Sequence, residues 1–253
     1  MSKTPCASCA CGPNASHLRR LNVDPSQADY VVALAGNPNV GKSTVFNRLT
    51  GLRQHTGNWP GKTVSRAEGA YEFQGKTFKL VDLPGTYSLL STSTDEEIAR
   101  DFLLFGRPDV TVIVVDATRL ERNLNLVLQI LQITDRAVLC LNLVDEAKRH
   151  GITLDTRTLS RELGIPVVAT SARFNRGMDE LMETVRGVAA GELACQPRVL
   201  KLRAESGSLQ EAVARVSRSL LELVPGLPNP GWVSLRLLAA DARIVEALSG
   251  GEL

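Results

Sequence analysis

Along most of the chain, short runs of β-branched and other apolar residues alternate with segments whose apolar positions recur every three to four residues. Tyr30-Val-Val-Ala-Leu-Ala35, Ala67 to Phe73, Thr77 to Asp82, Val110-Thr-Val-Ile-Val-Val115, Ala137 to Leu141 and Val167-Val-Ala169 predict strands. Gln74-Gly75-Lys76 predicts the turn of a hairpin. Helices are predicted over Lys42 to Thr50 and near 94–105, 120–133, 155–163 and 178–190, with Thr94 and Glu97 placed as a capping box. Strands alternating with helices predict an α/β fold with a mainly parallel sheet covered on both faces.

The pattern changes after about residue 192. Ser208 and Glu211 suggest a second capping box, and Leu209, Ala212, Val213, Val216 and Leu220 fall on one helical face. Pro225-Gly-Leu-Pro-Asn-Pro-Gly231 interrupts it. Leu235, Leu238, Ala242 and Val245 then predict another face. The expected organisation is a flexible tail over 1–29, an α/β domain over 30–191 and a small all-α domain over 192–253.

Hydrophobic residues make up 43% and charged residues 22%, enough for an ordinary core, so disorder over the whole length is excluded. Twenty-nine basic residues face 27 acidic ones, and no nucleic-acid partner is expected from that balance. Apolar runs such as Val110 to Val115 fall far short of the ~20 residues a membrane-spanning helix needs. The N-terminus carries no apolar signal-peptide core, and five cysteines without a disulfide framework predict an intracellular chain. Cys6, Cys9 and Cys11 are candidates for a soft metal. Three thiolates fall short of the usual four ligands, so His17 or a second chain would have to contribute. Incidental thiols on a flexible tail are the plainer reading.

Gly36-Asn-Pro-Asn-Val-Gly41-Lys42-Ser43 fits G-x-x-x-x-G-K-[ST] and lies between a predicted strand and a predicted helix. Glycines let backbone N–H groups wrap phosphates, and the helix start adds a favourable dipole. Asn37, Val40, Gly41 and Thr44 belong to that wrap, Lys42 would neutralise β- and γ-phosphates, and Ser43 would hold Mg²⁺. Downstream, Asp82-Leu-Pro-Gly85 ends the third predicted strand. Asp82 can reach Mg²⁺ through water, and the Gly85 N–H can reach the γ-phosphate. Asn142-Leu-Val-Asp145 follows the fifth predicted strand. Its Asp145 carboxylate can accept two hydrogens from the N1 and N2 edge of guanine, which adenine does not offer. Asn142 would tether neighbouring loops. Ser171 and Ala172, after the last predicted strand, could present a backbone N–H to guanine O6.

These motifs resemble the translation-factor-related small GTPases. Together with Gly57-Asn-Trp-Pro-Gly-Lys-Thr63-Val64, Asp82-Leu-Pro-Gly-Thr-Tyr-Ser-Leu89 and Val115-Asp-Ala-Thr-Arg-Leu-Glu-Arg-Asn-Leu124, they are more closely similar to bacterial ferrous iron transport protein B (FeoB). The resemblance covers roughly residues 30–190. It implies a phosphate-loop GTPase domain followed by a helical module of the kind thought to slow GDP release. It also implies a membrane transport domain beyond this chain, at the bacterial inner membrane, with this portion soluble on the cytoplasmic face. The implied ligands are GTP and GDP, with Mg²⁺ and an activating K⁺.

By position, Thr63 matches the switch I threonine that closes on Mg²⁺ and γ-phosphate. Asn39 matches the asparagine that coordinates K⁺, with carbonyls near Gly57 to Trp59 completing the shell. Asn39 shaping the loop, and Trp59 as a packing aromatic, are the alternatives. Asn39, Lys42, Thr63 and Gly85 are thus the candidates at the reacting phosphate. Two positions depart from the pattern. Thr86 stands where a water-orienting glutamine is common, so hydrolysis is expected to be slow, and Leu143 replaces the usual lysine. The expected function is a GTPase that regulates or drives ferrous iron uptake. The alternatives are an RNA- or ribosome-associated GTPase, a nucleotide sensor without turnover, and a thiolate metal-binding protein. A homo-oligomer is left open.

Overall fold

The computed structural model describes residues 18–19, 21–26, 28–51, 54–90, 93–198, 207–225, 227 and 229–251. The cysteine candidates Cys6, Cys9 and Cys11, and His17, lie outside the described residues.

Seven strands form one sheet in the order β2-β3-β4-β1-β5-β6-β7. They are β1 (Tyr30–Gly36), β2 (Gln54–Asn58), β3 (Ser65–Phe73), β4 (Lys76–Asp82), β5 (Val110–Asp116), β6 (Ala137–Asn142) and β7 (Val167–Ala169). From β4 to β7 every pairing is parallel, while β2, β3 and β4 run antiparallel. The central strands are apolar at nearly every position because both faces are covered.

Side-chain alternation divides the core in two. Val32, Leu34, Val112, Val114, Val138 and Cys140 face α1 (Lys42–Thr50) and α6 (Met178–Ala189). On the other face, Val31, Ala33, Ile113, Val115 and Leu139 meet α2 (Thr94–Asp101), α3 (Leu120–Leu131) and α5 (Thr156–Leu163). The short α4 (Val144–Arg149) follows β6. This is the expected arrangement of a mainly parallel sheet with helices on both faces.

The last three helices are α7 (Gly207–Leu223), α8 (Pro230–Leu238) and α9 (Ala242–Ser249). Leu220, Trp232, Val233, Ile244 and Ala247 are buried in the same cluster that contains α2 and α3, so the helical module extends that side of the core. Charge also fastens it. Arg100 on α2 is fully buried and reaches Asp241, the cap of α9, at 3.2 Å. Asp101 is held by Arg243 at 3.0 Å.

Several expectations need correction. Strand β2 lies outside the predicted elements, because Gln-His-Thr-Gly-Asn carries no apolar alternation and pairs only along the sheet edge. Helix α4 was also missed. The cap of α2 is Ser93, in extended conformation, which accepts the Glu96 N–H at 3.3 Å. The capping pair is therefore one residue earlier than Thr94 and Glu97. Ser208 lies inside the first turn of α7. The predicted face of Leu235, Leu238, Ala242 and Val245 does not exist, because Ala240 turns the chain at φ 54° between two separate helices. Leu238 and Val245 are exposed, and Trp232, Val233, Ile244 and Ala247 are inside.

The tail expectation also fails for its second half. Leu18 and Val23 are buried, and Leu21 packs against Gly106. Arg66 on β3 donates to the carbonyls of Leu21 at 2.9 Å and Asn22 at 3.0 Å. Lys79 donates to the Asp24 carbonyl at 2.9 Å. Leu18→Ala is expected to cost about 2–5 kcal/mol in urea unfolding, as for a buried leucine. A change within about 0.5 kcal/mol, typical of a surface site, would show that the segment is not anchored.

Candidate functional site

The C-terminal ends of the parallel strands bring the motif loops together, the usual place for a ligand in an open α/β sheet. The loop from Gly36 to Gly41 leaves β1 and enters α1. A Cβ at Gly36 would lie 2.4 Å from the Val114 carbonyl oxygen on β5, so no side chain fits there. Gly41 has φ 82°, and a Cβ on it would lie 2.5 Å from Asn142 Nδ2. Asn39 also takes the left-handed conformation, at φ 65°, and is exposed at the loop tip. Ser43 and Thr44 are exposed on the first turn of α1.

Lys42 Nζ donates to Asp82 Oδ1 at the end of β4. Both side chains are largely buried, at 11% and 18% exposure. Burial pushes the Asp82 carboxyl above its ordinary value, and the Lys42 ammonium opposes that shift. Gly85 lies against the loop, since a Cβ there would sit 3.3 Å from the Pro38 backbone. Thr86 is buried and donates its N–H to the Gly36 carbonyl at 3.3 Å.

The other end of the cleft is built around Asn142. This buried amide donates to the Val40 carbonyl at 3.0 Å. Its oxygen accepts from the Thr170 hydroxyl at 3.2 Å and the Ala172 N–H at 3.1 Å. Leu143 follows at φ 63°, a strained conformation for a bulky apolar residue, and caps α4. That turn projects Asp145 from the start of α4, where the Ser171 hydroxyl donates to it. The Ser171 hydrogen bond, with smaller help from Arg149 and Arg176, holds the Asp145 carboxyl below its ordinary value.

Two amides considered for guanine O6 are already engaged. The Ser171 N–H goes to the Arg176 carbonyl at 3.0 Å and the Ala172 N–H to Asn142. Arg48 of α1, which sequence reasoning passed over, donates to the carbonyls of Ala172 at 3.0 Å and Arg173 at 2.8 Å. Nothing in a lone helical arginine signals that task.

The structure does not bring switch I to this cleft. Thr63 is exposed beyond β2, at the start of β3. Gly57 and Asn58 pair with β3, and Trp59 O accepts the Lys62 N–H at 3.0 Å. Strand β2 is three strand spacings from β1, roughly 14 Å. Trp59 is a packing aromatic here, edge-on to Phe102 at 5.5 Å with Arg66 5.3 Å above its ring.

Removing the Asn142 amide strands the Val40 carbonyl and the Ala172 N–H. Asn142→Ala is expected to cost about 2–6 kcal/mol in denaturant unfolding, at about 1–3 kcal/mol for each of the two buried groups left without a partner. A loss below 0.5 kcal/mol, by the same reasoning, would show that the two loops hold their places without it.

Against known proteins, the family model described as "Ferrous iron transport protein B" matches residues 30–185. The chain is 40% identical over 215 residues to the Fe(2+) transporter FeoB of Salmonella choleraesuis (strain SC-B67), across 83% of this chain and 27% of that protein. It is 37% identical over 217 residues to the transporter of the same name from Escherichia coli (strain K12), with the same two coverages. The chain therefore spans about a quarter of the length of the curated relatives it matches. Among solved structures, the cytosolic domain of T. maritima FeoB in apo form superposes with a TM-score of 0.77 at 38% identity, covering 87% of this chain and 85% of that one. The same domain in GDP form I gives 0.75 at 37% identity, covering 87% and 84%. The L. pneumophila FeoB cytosolic domain gives 0.77 at 33% identity, covering 85% and 84%. The fold is that of a phosphate-loop GTPase domain followed by helices, and the chain belongs to the ferrous iron transport protein B family.

Proposed function

We propose that this chain binds GTP and GDP and hydrolyses GTP slowly, and that its loop states regulate or drive ferrous iron uptake through a membrane portion of a longer protein. The observation that carries this reading is the pairing of Lys42 with Asp82 at one end of the cleft, while Ser171 orients Asp145 at the other. The first is a cation awaiting phosphate, and the second an acceptor awaiting two ring donors. The relatives carry the name Fe(2+) transporter, and one of the similar structures is described as a GDP form. Among the described residues no helix is long and apolar enough to cross a membrane, so transport would need the part of the relatives that this chain does not span. The reading includes a division into a nucleotide-binding unit over 30–191 and a helical unit over 192–253, at the cytoplasmic face of the bacterial inner membrane.

A β- or γ-phosphate arriving at the loop replaces Asp82 as the partner of Lys42. The exchange leaves Lys42 charged and paired, and releases the Asp82 carboxylate toward the Ser43 hydroxyl. Those two oxygens suit a hard divalent cation. Mg²⁺ bound there supplies neutralisation of phosphate charge. Gly85 lies against Pro38 of the loop, which supports its N–H as the donor to the γ-phosphate in this reading. Thr63 joins only when β2 lets go of the sheet edge. That same release frees the Gly57 to Trp59 carbonyls to complete a K⁺ shell with Asn39. Such a cation stabilises charge that builds up during phosphoryl transfer.

With Thr86 buried, no side chain at its position orients water, so turnover is slow. That same feature favours the second reading, a sensor that binds nucleotide without turnover. The test is GTP turnover in KCl and in NaCl at equal ionic strength, for the wild type and Asn39→Ala. Potassium is expected to raise the wild-type rate at least tenfold, about 1.4 kcal/mol of barrier, and to leave the variant unchanged. Equal slow rates in both salts would remove the potassium step. No turnover in either salt would favour the sensor.

A further inference from the structure

The phosphate loop has a second flank. A cleft of about 340 Å³ opens there, lined by Asn37, Tyr87, Asp116, Thr118, Arg119 and Arg122 among others. It shares Asn39, Val40 and Leu143 with the cleft described above, but Lys42, Ser43, Asp82 and Asp145 are not among its walls, so it adjoins the nucleotide cleft on the side away from Lys42. Much of its wall comes from the segment Asp116-Ala-Thr-Arg-Leu-Glu-Arg-Asn123, to which nothing in the proposed hydrolysis gives a role.

Two features mark the cleft as built to hold something. Asn37 is only 2% exposed, yet neither polar atom of its side chain has a hydrogen-bond partner among the described residues. Such a group costs about 1–3 kcal/mol unless a ligand or water satisfies it. Secondly, the charges at the cleft are unequally committed. Asp116 accepts from the Thr118 N–H and hydroxyl, both at 2.7 Å, and Glu146 faces Arg149 at 3.5 Å. Arg119 makes no ion pair among the described residues, and Arg122 has only the Tyr87 ring, 4.8 Å from its guanidinium carbon. The uncommitted groups thus include two guanidiniums and one buried amide, with the exposed side chains of Asn39 and His150 beside them.

We propose that this flank binds a small metabolite carrying an oxyanion and a hydroxyl. The guanidiniums of Arg119 and Arg122 take the phosphate or carboxylate, and the Asn37 amide donates to it while accepting from the hydroxyl. Tyr87 lies two residues after Gly85, and Asn37 and Pro38 belong to the phosphate loop. A bound ligand therefore bridges the segment after Gly85 to that loop and acts as an effector of the nucleotide site.

The test is thermal unfolding of the full chain with glycerol 3-phosphate and, separately, malate. It compares the wild type, Lys42→Ala and the double variant Arg119→Ala/Arg122→Ala. The two probes distinguish a phosphate from a carboxylate ligand. The expected result is a saturable rise in Tm of about 2–4 °C with at least one probe. It persists in Lys42→Ala and vanishes in the double variant. Both arginines are exposed, so the double variant should unfold at the wild-type temperature without ligand and bind GDP within twofold of wild type. A rise lost in Lys42→Ala and kept in the double variant would place the anion on the phosphate loop and overturn the proposal. So would the absence of any rise. GDP binding, measured alongside, reports on the nucleotide reading independently.

Discussion

Asn142 lies fully buried where three loops converge, and all of the cleft's geometry refers back to it. One amide joins the phosphate loop, through Val40, to the segment after β7, through Thr170 and Ala172. Its Nδ2 also fills the space that a side chain on Gly41 would need, so Gly41 and Asn142 form one constraint. A side chain with one donor and one strong acceptor suffices for both halves. Buried polar connections of this kind specify a single arrangement because every alternative leaves a group without a partner. Arg48 adds a second tie from α1 to the same segment, so the Asp145 end of the cleft is held from the end of β6 and from α1.

On the proposed reading, the phosphate end works by exchange of partners. A buried lysine without a counter-charge would be costly, and Asp82 supplies the counter-charge while paying with a raised pKa from its own burial. Phosphate is a better partner for the same ammonium, and the displaced carboxylate is then in place for a second task. Such a site is stable when empty and gains on filling. The segment carrying Thr63 lies at the far edge of the sheet, with Trp59 packed on Phe102. Because Phe102 follows α2, and α2 carries Arg100 and Asp101 to the helical module, switch I and the C-terminal helices meet on common ground.

Most of the fold was legible because its central strands are buried on both faces and so are apolar throughout, as in Val110 to Val115. The phosphate loop was legible because its chemistry constrains four positions in eight. What escaped had no apolar pattern to show. Strand β2 is held by ladder hydrogen bonds on a polar edge. The segment around Leu21 is held by its carbonyls accepting from Arg66, and carbonyls are the same in every residue. The α8–α9 break was lost because two alanines and an aspartate continue a helical pattern that Ala240 then violates with a positive φ. Leu143 shows the reverse case, a sequence departure with a visible structural outcome: an aliphatic residue takes a strained turn and still presents Asp145. The placement of Thr63 was unreadable in principle, since its motif specifies a liganded position and the chain has another place for it without one.

The account turns on the claim that Asp145 and Lys42 belong to one guanine nucleotide site. Titrating the purified chain with fluorescent GDP and fluorescent ADP, with Mg²⁺ present, tests this directly. The account predicts saturable GDP binding and ADP binding weaker by at least a hundredfold, about 2.7 kcal/mol. Equal affinity for the two, or no binding of either, would contradict it.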